Sequence, residues 1–399
     1  MRCGTILTIR WRAIAGALLT AVLSCVMALP AASQAPGKLI ALHPAGSGGI
    51  FDPSLADTKP GQRAWMSYSA VDPSPRWPDK NTRTITTLLA YSDDRGASWT
   101  DLGKVINPVS EPPGSDAQSW NNEVSSLVLD PYAPASARWK LFWHHYLYIN
   151  NKGRFQHGWI GYKEAATPPE LASVPEVKLF VGRAYSKDND DRSGSTGSPV
   201  AGAPLLDLHQ LSHDLDRCVA PSEPSAIASE SGIYVALSCY QPKAPGPLAM
   251  LMGGAVPIVS LLKCDAPCQP SRARAWRYVA KLLTPDDAQA AGFDKYTASD
   301  LFTQDGKYYL MVSPTSNKPW SSAYNGCHIF RFSSIANGQL ESDGGHPTII
   351  KRIQGNPSTF NGACTYAAAV TVSGFLYGEI KMMNKQPYFQ IFQTGQQMD

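Results

Sequence analysis

The chain is 399 residues long, with 17% charged residues, a formal net charge of +3, and 32 each of glycine and proline. Such a balance leaves no basic stripe, which excludes nucleic acid and an anionic membrane surface as natural partners. The turn-forming content, 10% aromatics and scarcity of helical periodicity favour an all-β chain.

Residues 1–33 have the grammar of an export signal. Arg2, Arg10 and Arg12 precede an apolar stretch from Ala13 to Leu29, and Ala31, Ala32 and Ser33 supply small residues for cleavage just after Ser33. An uncleaved anchor is the alternative, because the apolar run approaches the length of a membrane span. A lipobox reading of Val22-Leu23-Ser24-Cys25 is disfavoured by the apolar residues that continue past the cysteine. A secreted or periplasmic protein is expected, with residues 34–399 as one domain.

Beyond the leader, an acidic residue stands four times at the start of a strand–turn–strand pair. The acids are Asp52, Glu123, Glu223 and Asp300, and a fifth pair follows Cys364–Tyr366 without one. The first pair leads to Ser92-Asp93-Asp94-Arg95-Gly96-Ala97-Ser98-Trp99, which matches the S-x-D-x-G-x-[ST]-W pattern of the Asp-box hairpin. In that turn Asp94 is expected to bond backbone amides, Gly96 to take a strained angle and Trp99 to pack between strands. The second pair, Ser125–Leu129 and Trp139–Tyr148, is split by a proline-bearing insertion. Along its second strand His144 and His145 should point to opposite faces and read as packed core residues. The third pair is Ser225–Ala228 and Ile233–Leu237, and the fourth is Leu301–Thr303 and Tyr308–Val312 around an Asp305-Gly306 turn. The fifth is read as strands Ala367–Val372 and Phe375–Ile380 about Ser373-Gly374. Between the second and third pairs, the Gly/Ser/Asp-rich run 186–197 reads as a solvated loop.

Repetition of one strand unit suggests radial symmetry, and a five-bladed β-propeller would gather the starts of its innermost strands at one end of a central axis. Converging carboxylates suit glycosidic-bond cleavage, in which one acid protonates the leaving oxygen and another, ionised, acts from the opposite face. Neither a metal nor an organic cofactor is required by that chemistry. Six cysteines follow the leader, Cys218, Cys239, Cys264, Cys268, Cys327 and Cys364, an even number that suits disulfides in an exported chain. Cys264–Cys268 is the expected local bridge. Zinc, the rival reading of that pair, lacks a neighbouring CxxC or histidine partner.

Phe51-Asp52-Pro53-Ser54 resembles the D-P motif that opens the first blade in five-bladed propeller glycosidases of glycoside hydrolase family 43 and its invertase-like relatives. Ser222-Glu223-Pro224-Ser225 is similar to the E-G-P element of their third blade, although Pro224 here follows the glutamate directly. The resemblance implies Asp52 as base or nucleophile, Glu223 as general acid and Glu123 in the modulator's blade, where the family has Asp. Asp300 has no counterpart there and is expected, with Trp120, Trp320, Tyr324 and Tyr366, to bind substrate. Trp120, Trp320 and Tyr324 would offer sugar-stacking faces. A monomer acting on a polysaccharide or oligosaccharide is expected. The alternatives are a non-catalytic propeller that binds glycan or protein, and a sialidase-like exo-glycosidase, for which Arg63, Arg217 and Arg331 are the available cations.

Overall fold

The structure, a computed structural model, describes residues 37–42, 48–73, 83–106, 118–149, 152–185, 200–242, 255–318, 321–356, 358–383 and 386–398. The expected leader at residues 1–33, Trp320 and the 186–197 run lie outside the described residues. Residues Pro36–Asp399 make one compact unit.

Strands dominate, as the composition predicts, and their pairings trace five successive antiparallel meanders. The first runs through Gly49–Leu55, Ala64–Pro73, Arg83–Ser92 and Thr100–Ile106. The second runs through Gln118–Leu129, Trp139–Ile149, Lys152–Ala165 and Val177–Val181. The third comprises Ala220–Ser229, Gly232–Pro242, Ala255–Asp265 and Trp276–Leu283. The fourth comprises Lys295–Gln304, Lys307–Lys318, Cys327–Ser334 and Ile349–Ile353. The fifth has Phe360–Thr365, Leu376–Met383 and Gln386–Gln393, and its outer strand is completed by Lys38–Leu39 from the other end of the chain.

The opening strands of these meanders touch in cyclic order, first to second, second to third, third to fourth, fourth to fifth and fifth back to first. Apolar clusters fill the spaces between neighbours. Leu89 and Val105 meet Leu141 and Trp143 between the first and second meanders. Phe142 and Ile160 meet Val235 and Leu237 between the second and third, and Leu261 meets Leu310 and Val312 between the third and fourth. Phe302 and Ile329 meet Phe375 and Tyr377 between the fourth and fifth, while Val370 and Leu376 meet Met66 and Tyr68 back at the first. Strands buried on both faces carry near-continuous apolar runs, so His144 and His145 are both buried, at 1% and 2% exposure, instead of alternating in environment.

Each opening strand is broken by a bulge at the same place. Register slips between Phe51 and Ser54, Glu123 and Ser126, Ser222 and Ser225, Thr297 and Asp300, and Gly362 and Thr365. The first bulged residues, Asp52, Val124, Glu223, Ala298 and Ala363, all have φ between 48° and 52°. That is left-handed backbone without glycine, a cost of order 1 kcal/mol or more per site that surrounding structure must offset.

The offset is visible two residues further on. An opening strand has one unpaired edge, and its N–H groups need partners. Leu127 N–H donates to Ser54 Oγ (3.3 Å), Ala226 N–H to Ser126 Oγ (2.9 Å) and Leu301 N–H to Ser225 Oγ (2.6 Å). Tyr366 N–H donates to Asp300 Oδ2 (3.4 Å), and Leu55 N–H to Thr365 Oγ1 (3.0 Å) closes the cycle. Every meander thus supplies one acceptor to the next and receives one from the last, at about 1 kcal/mol per bond.

Local readings are settled as follows. In the Asp-box turn Asp94 accepts from Ser98 N–H (2.9 Å) and from the hydroxyls of Ser98 (2.6 Å) and Ser92 (2.7 Å), and Gly96 has φ 89°. Those donors hold the Asp94 carboxyl down at about 2. Asp305 and Gly306 form the tight turn at φ 51° and 73°. The expected strand Ala367–Val372 is not one: Ala368–Val370 forms a 3-10 turn, with Ala369 and Val370 buried against the first meander, and the fifth opening strand lies upstream at Phe360–Thr365. The cysteines pair as Cys218–Cys239, Cys264–Cys268 and Cys327–Cys364, the expected local bridge among them.

Candidate active site

Bulges re-aim side chains, and here they aim acids. Asp52 and Glu223 occupy the same bulge position in the first and third meanders, and each is followed by proline, whose missing N–H costs nothing where the ladder is already interrupted. Glu123 stands one residue before the bulge of the second meander, opposite His144. These three line one cavity of about 370 Å³, together with Asn121, Tyr148, Tyr324 and Glu379.

The carboxyls are crowded and dry. Burial pushes Asp52 well above the ordinary carboxylate range, with the charges of Glu123 and Glu223 adding to it. Burial raises Glu123 to about 7, helped by Glu223 and opposed by a hydrogen bond with the Tyr146 phenol. Glu223 is also raised by burial, against the pull of the Ala298 N–H, the Ser238 hydroxyl and the Lys295 charge. Its two donors meet the same oxygen, Oε2, at 2.9 Å from Ala298 N and 2.7 Å from Ser238 Oγ. Like charges confined together in low dielectric do not ionise together, so protons remain in this cavity at neutral pH.

Of the residues expected to bind substrate, Tyr324 lines the cavity. Three others lie elsewhere. Trp120 is 1% exposed and packs against Trp159 and His145, because its strand faces neighbours on both sides. Tyr366 is buried between Phe302 and Phe375, and its hydroxyl reaches Gln304 and Gln397. Asp300 sits two residues past its bulge, so it takes the place of the serines and threonine in the hydrogen-bond cycle instead of the place of Asp52. It lines a narrow void of about 20 Å³ with Asp52, and beyond that a separate recess with Asp57 and Thr303. Burial raises its carboxyl to about 8 despite hydrogen bonds from Thr365, Tyr366 and Ser225.

Sequence reasoning missed Glu379, 2% exposed on the second strand of the fifth meander, with Oε1 2.9 Å from Lys381 Nζ. No repeat motif marks it. It also missed the apolar wall of Phe51, Val71, Ile85, Ile380, Pro387 and Phe389. The three arginines available for gripping an acidic sugar do not line the cavity: Arg63 pairs with Asp93, Arg331 with Glu341, and Arg217 donates to the carbonyl of Pro242.

No family model matches the chain, and no curated protein does. Among solved structures it is similar to the native arabinanase of Bacillus subtilis at 14% identity and a TM-score of 0.44, covering 87% of this chain and 95% of that one. A family 117 glycoside hydrolase from the marine bacterium Zobellia galactanivorans overlaps at 14% identity and a TM-score of 0.46, over 90% and 89%. An α-L-arabinanase of Cellvibrio cellulosa, complexed with arabinohexaose, does so at 12% identity and 0.44, over 86% and 91%.

Proposed function

We propose that residues 34–399 form a five-bladed β-propeller that works as an exported glycoside hydrolase. The carrying observation is that Asp52 and Glu223, on equivalent bulges two meanders apart, line one cavity. Five meanders in cyclic contact support the fold, and three disulfides suit an oxidising compartment. Among the described residues no helix is long and apolar enough to cross a membrane.

Glu223 acts as general acid. With both donors on Oε2, the proton belongs on Oε1, which leaves a hydroxyl free to meet the departing glycosidic oxygen. Asp52 acts as base or nucleophile on the far side of the bond; burial and then the charges of Glu123 and Glu223 hold its carboxyl up, and protonation of those two neighbours relieves the second of these. Glu123, poised near 7 and held by Tyr146, tunes both. Arg63, Arg217 and Arg331 are not among the described residues lining the cavity, which argues against sialidase-like chemistry.

The test is a screen of furanoside and pyranoside substrates with the wild type, Asp52→Asn and Glu223→Gln. Hydrolysis by the wild type and its loss in both variants, with circular dichroism unchanged, is expected. Full activity in either variant removes that residue from the mechanism, and glycan binding without turnover leaves a non-catalytic binder.

A further inference from the structure

The apolar wall of the cavity has a definite origin. Ile380 pairs with Phe389, Phe389 bridges to Gly49, Gly49 pairs with Val71, and Val71 pairs with Ile85. One row of residues in register therefore crosses five strands and joins the fifth meander to the first. Gly49 is the point where the two sheets meet: it has φ 85°, and a Cβ there would lie 1.9 Å from the Phe389 carbonyl oxygen. The missing side chain lets the sheets close into a continuous face, and Phe51 adds its ring 4.6 Å from that of Phe389.

The wall is one-sided. Phe51 immediately precedes Asp52, so the wall lies on the Asp52 side of the site, while Glu123 and Glu223 come from the second and third meanders. A sugar lying between Asp52 and Glu223 turns part of its surface toward side chains that neither donate nor accept hydrogen bonds. A hydroxyl pressed against them loses its water without gaining a partner. Polar side chains that can meet ring hydroxyls line the cavity away from this wall, Asn121 and Glu379 among them. The exocyclic carbon is the substituent that becomes purely apolar by losing its oxygen.

Resting on the glycosidase reading above, we propose that the sugar cleaved from its aglycone is a 6-deoxyhexose whose methyl group packs on the wall of Val71, Ile85, Ile380 and Phe389. The selectivity is against the extra hydroxyl. A site with no partner for a hydroxyl disfavours it by about 10- to 100-fold.

Matched 4-nitrophenyl glycosides decide it, since fucoside against galactoside, and rhamnoside against mannoside, share a leaving group and differ by one oxygen. Within the pair that is hydrolysed, the deoxy member is expected to have kcat/KM at least tenfold higher. Equal rates, or preference for the parent hexose, overturn the proposal. Ile85→Thr, which adds a partner to the wall away from the carboxyls, should narrow the ratio several-fold, and an unchanged ratio removes the wall from the selectivity. Absence of hydrolysis across all four substrates, with hydrolysis of another glycoside in the wider screen, overturns the proposal, and absence in the wider screen as well counts against the glycosidase reading itself. Calorimetric titration with methyl fucoside and methyl galactoside, methyl rhamnoside and methyl mannoside then judges the wall alone, and neither deoxy sugar binding more tightly than its parent overturns the inference.

Discussion

Glu223 and Asp300 are both buried acids on opening strands of adjacent meanders, and they meet different surroundings because they stand two residues apart in register. Glu223 falls on the bulge, where left-handed backbone turns it into the cavity. Asp300 falls two residues later, where every other meander has a hydroxyl, and it accepts the Tyr366 N–H in the cycle that ties neighbouring meanders together. At about 3.3 Å per residue, that offset carries a side chain past the cavity and into the neck behind it. Position relative to the bulge decides which of these two acids faces the cavity and which accepts the next meander's N–H.

Four substitutions break or sharpen this contrast. Asp52→Asn and Glu223→Gln should each lower kcat by about 10³-fold or more with little change in melting temperature, as measured by steady-state assay and thermal unfolding. Ser238→Ala removes one donor from Glu223 Oε2. Because that donor favours the carboxylate, its loss raises the Glu223 pKa further, and the alkaline limb of the pH–rate profile should move to higher pH with about a tenfold loss in kcat.

Asp300→Ser, which copies Ser54, Ser126 and Ser225, should leave kcat within about threefold while changing the pH dependence of stability. The sign follows from the carboxyl being raised to about 8 in the fold. Its protonated form is favoured by the native state, so its contribution is complete below the ordinary carboxylate value near 4 and is lost as pH rises to about 8. Wild-type melting temperature should therefore fall over that window, and the variant's should fall less. A loss of turnover comparable with that of Glu223→Gln would instead put Asp300 in the chemistry.

Part of this was legible in the sequence. The Asp-box, the Asp305-Gly306 turn, the local disulfide and the second, third and fourth strand pairs each depend on neighbours in the chain and stand where the residues place them, whereas the fifth opening strand lies upstream of its expected place. The two acids followed by proline, Asp52-Pro53 and Glu223-Pro224, were also visible as a pair. Their shared register was not, because a bulge is defined by the strand opposite. For that reason Glu123 and Asp300 looked equivalent to them, although one precedes its bulge and the other follows it. A serine or threonine two residues past the bulge in four meanders was the available signal for the hydrogen-bond cycle. Trp120 misled for a different reason: its sequence distance from Glu123 is short, yet the strand buries it among Leu147, Trp159 and Val181.

Lys38 and Leu39 lie opposite Gln393 and Phe392, so the outer pair of strands in the fifth meander joins segments about 350 residues apart in sequence. A ribosome delivers the first of these some 350 residues before the second. Until the final segment emerges, Gly49 has no Phe389 to meet and the acceptor cycle has a gap between Thr365 and Leu55. The cyclic contact between the first and fifth meanders therefore closes only after both segments have left the ribosome.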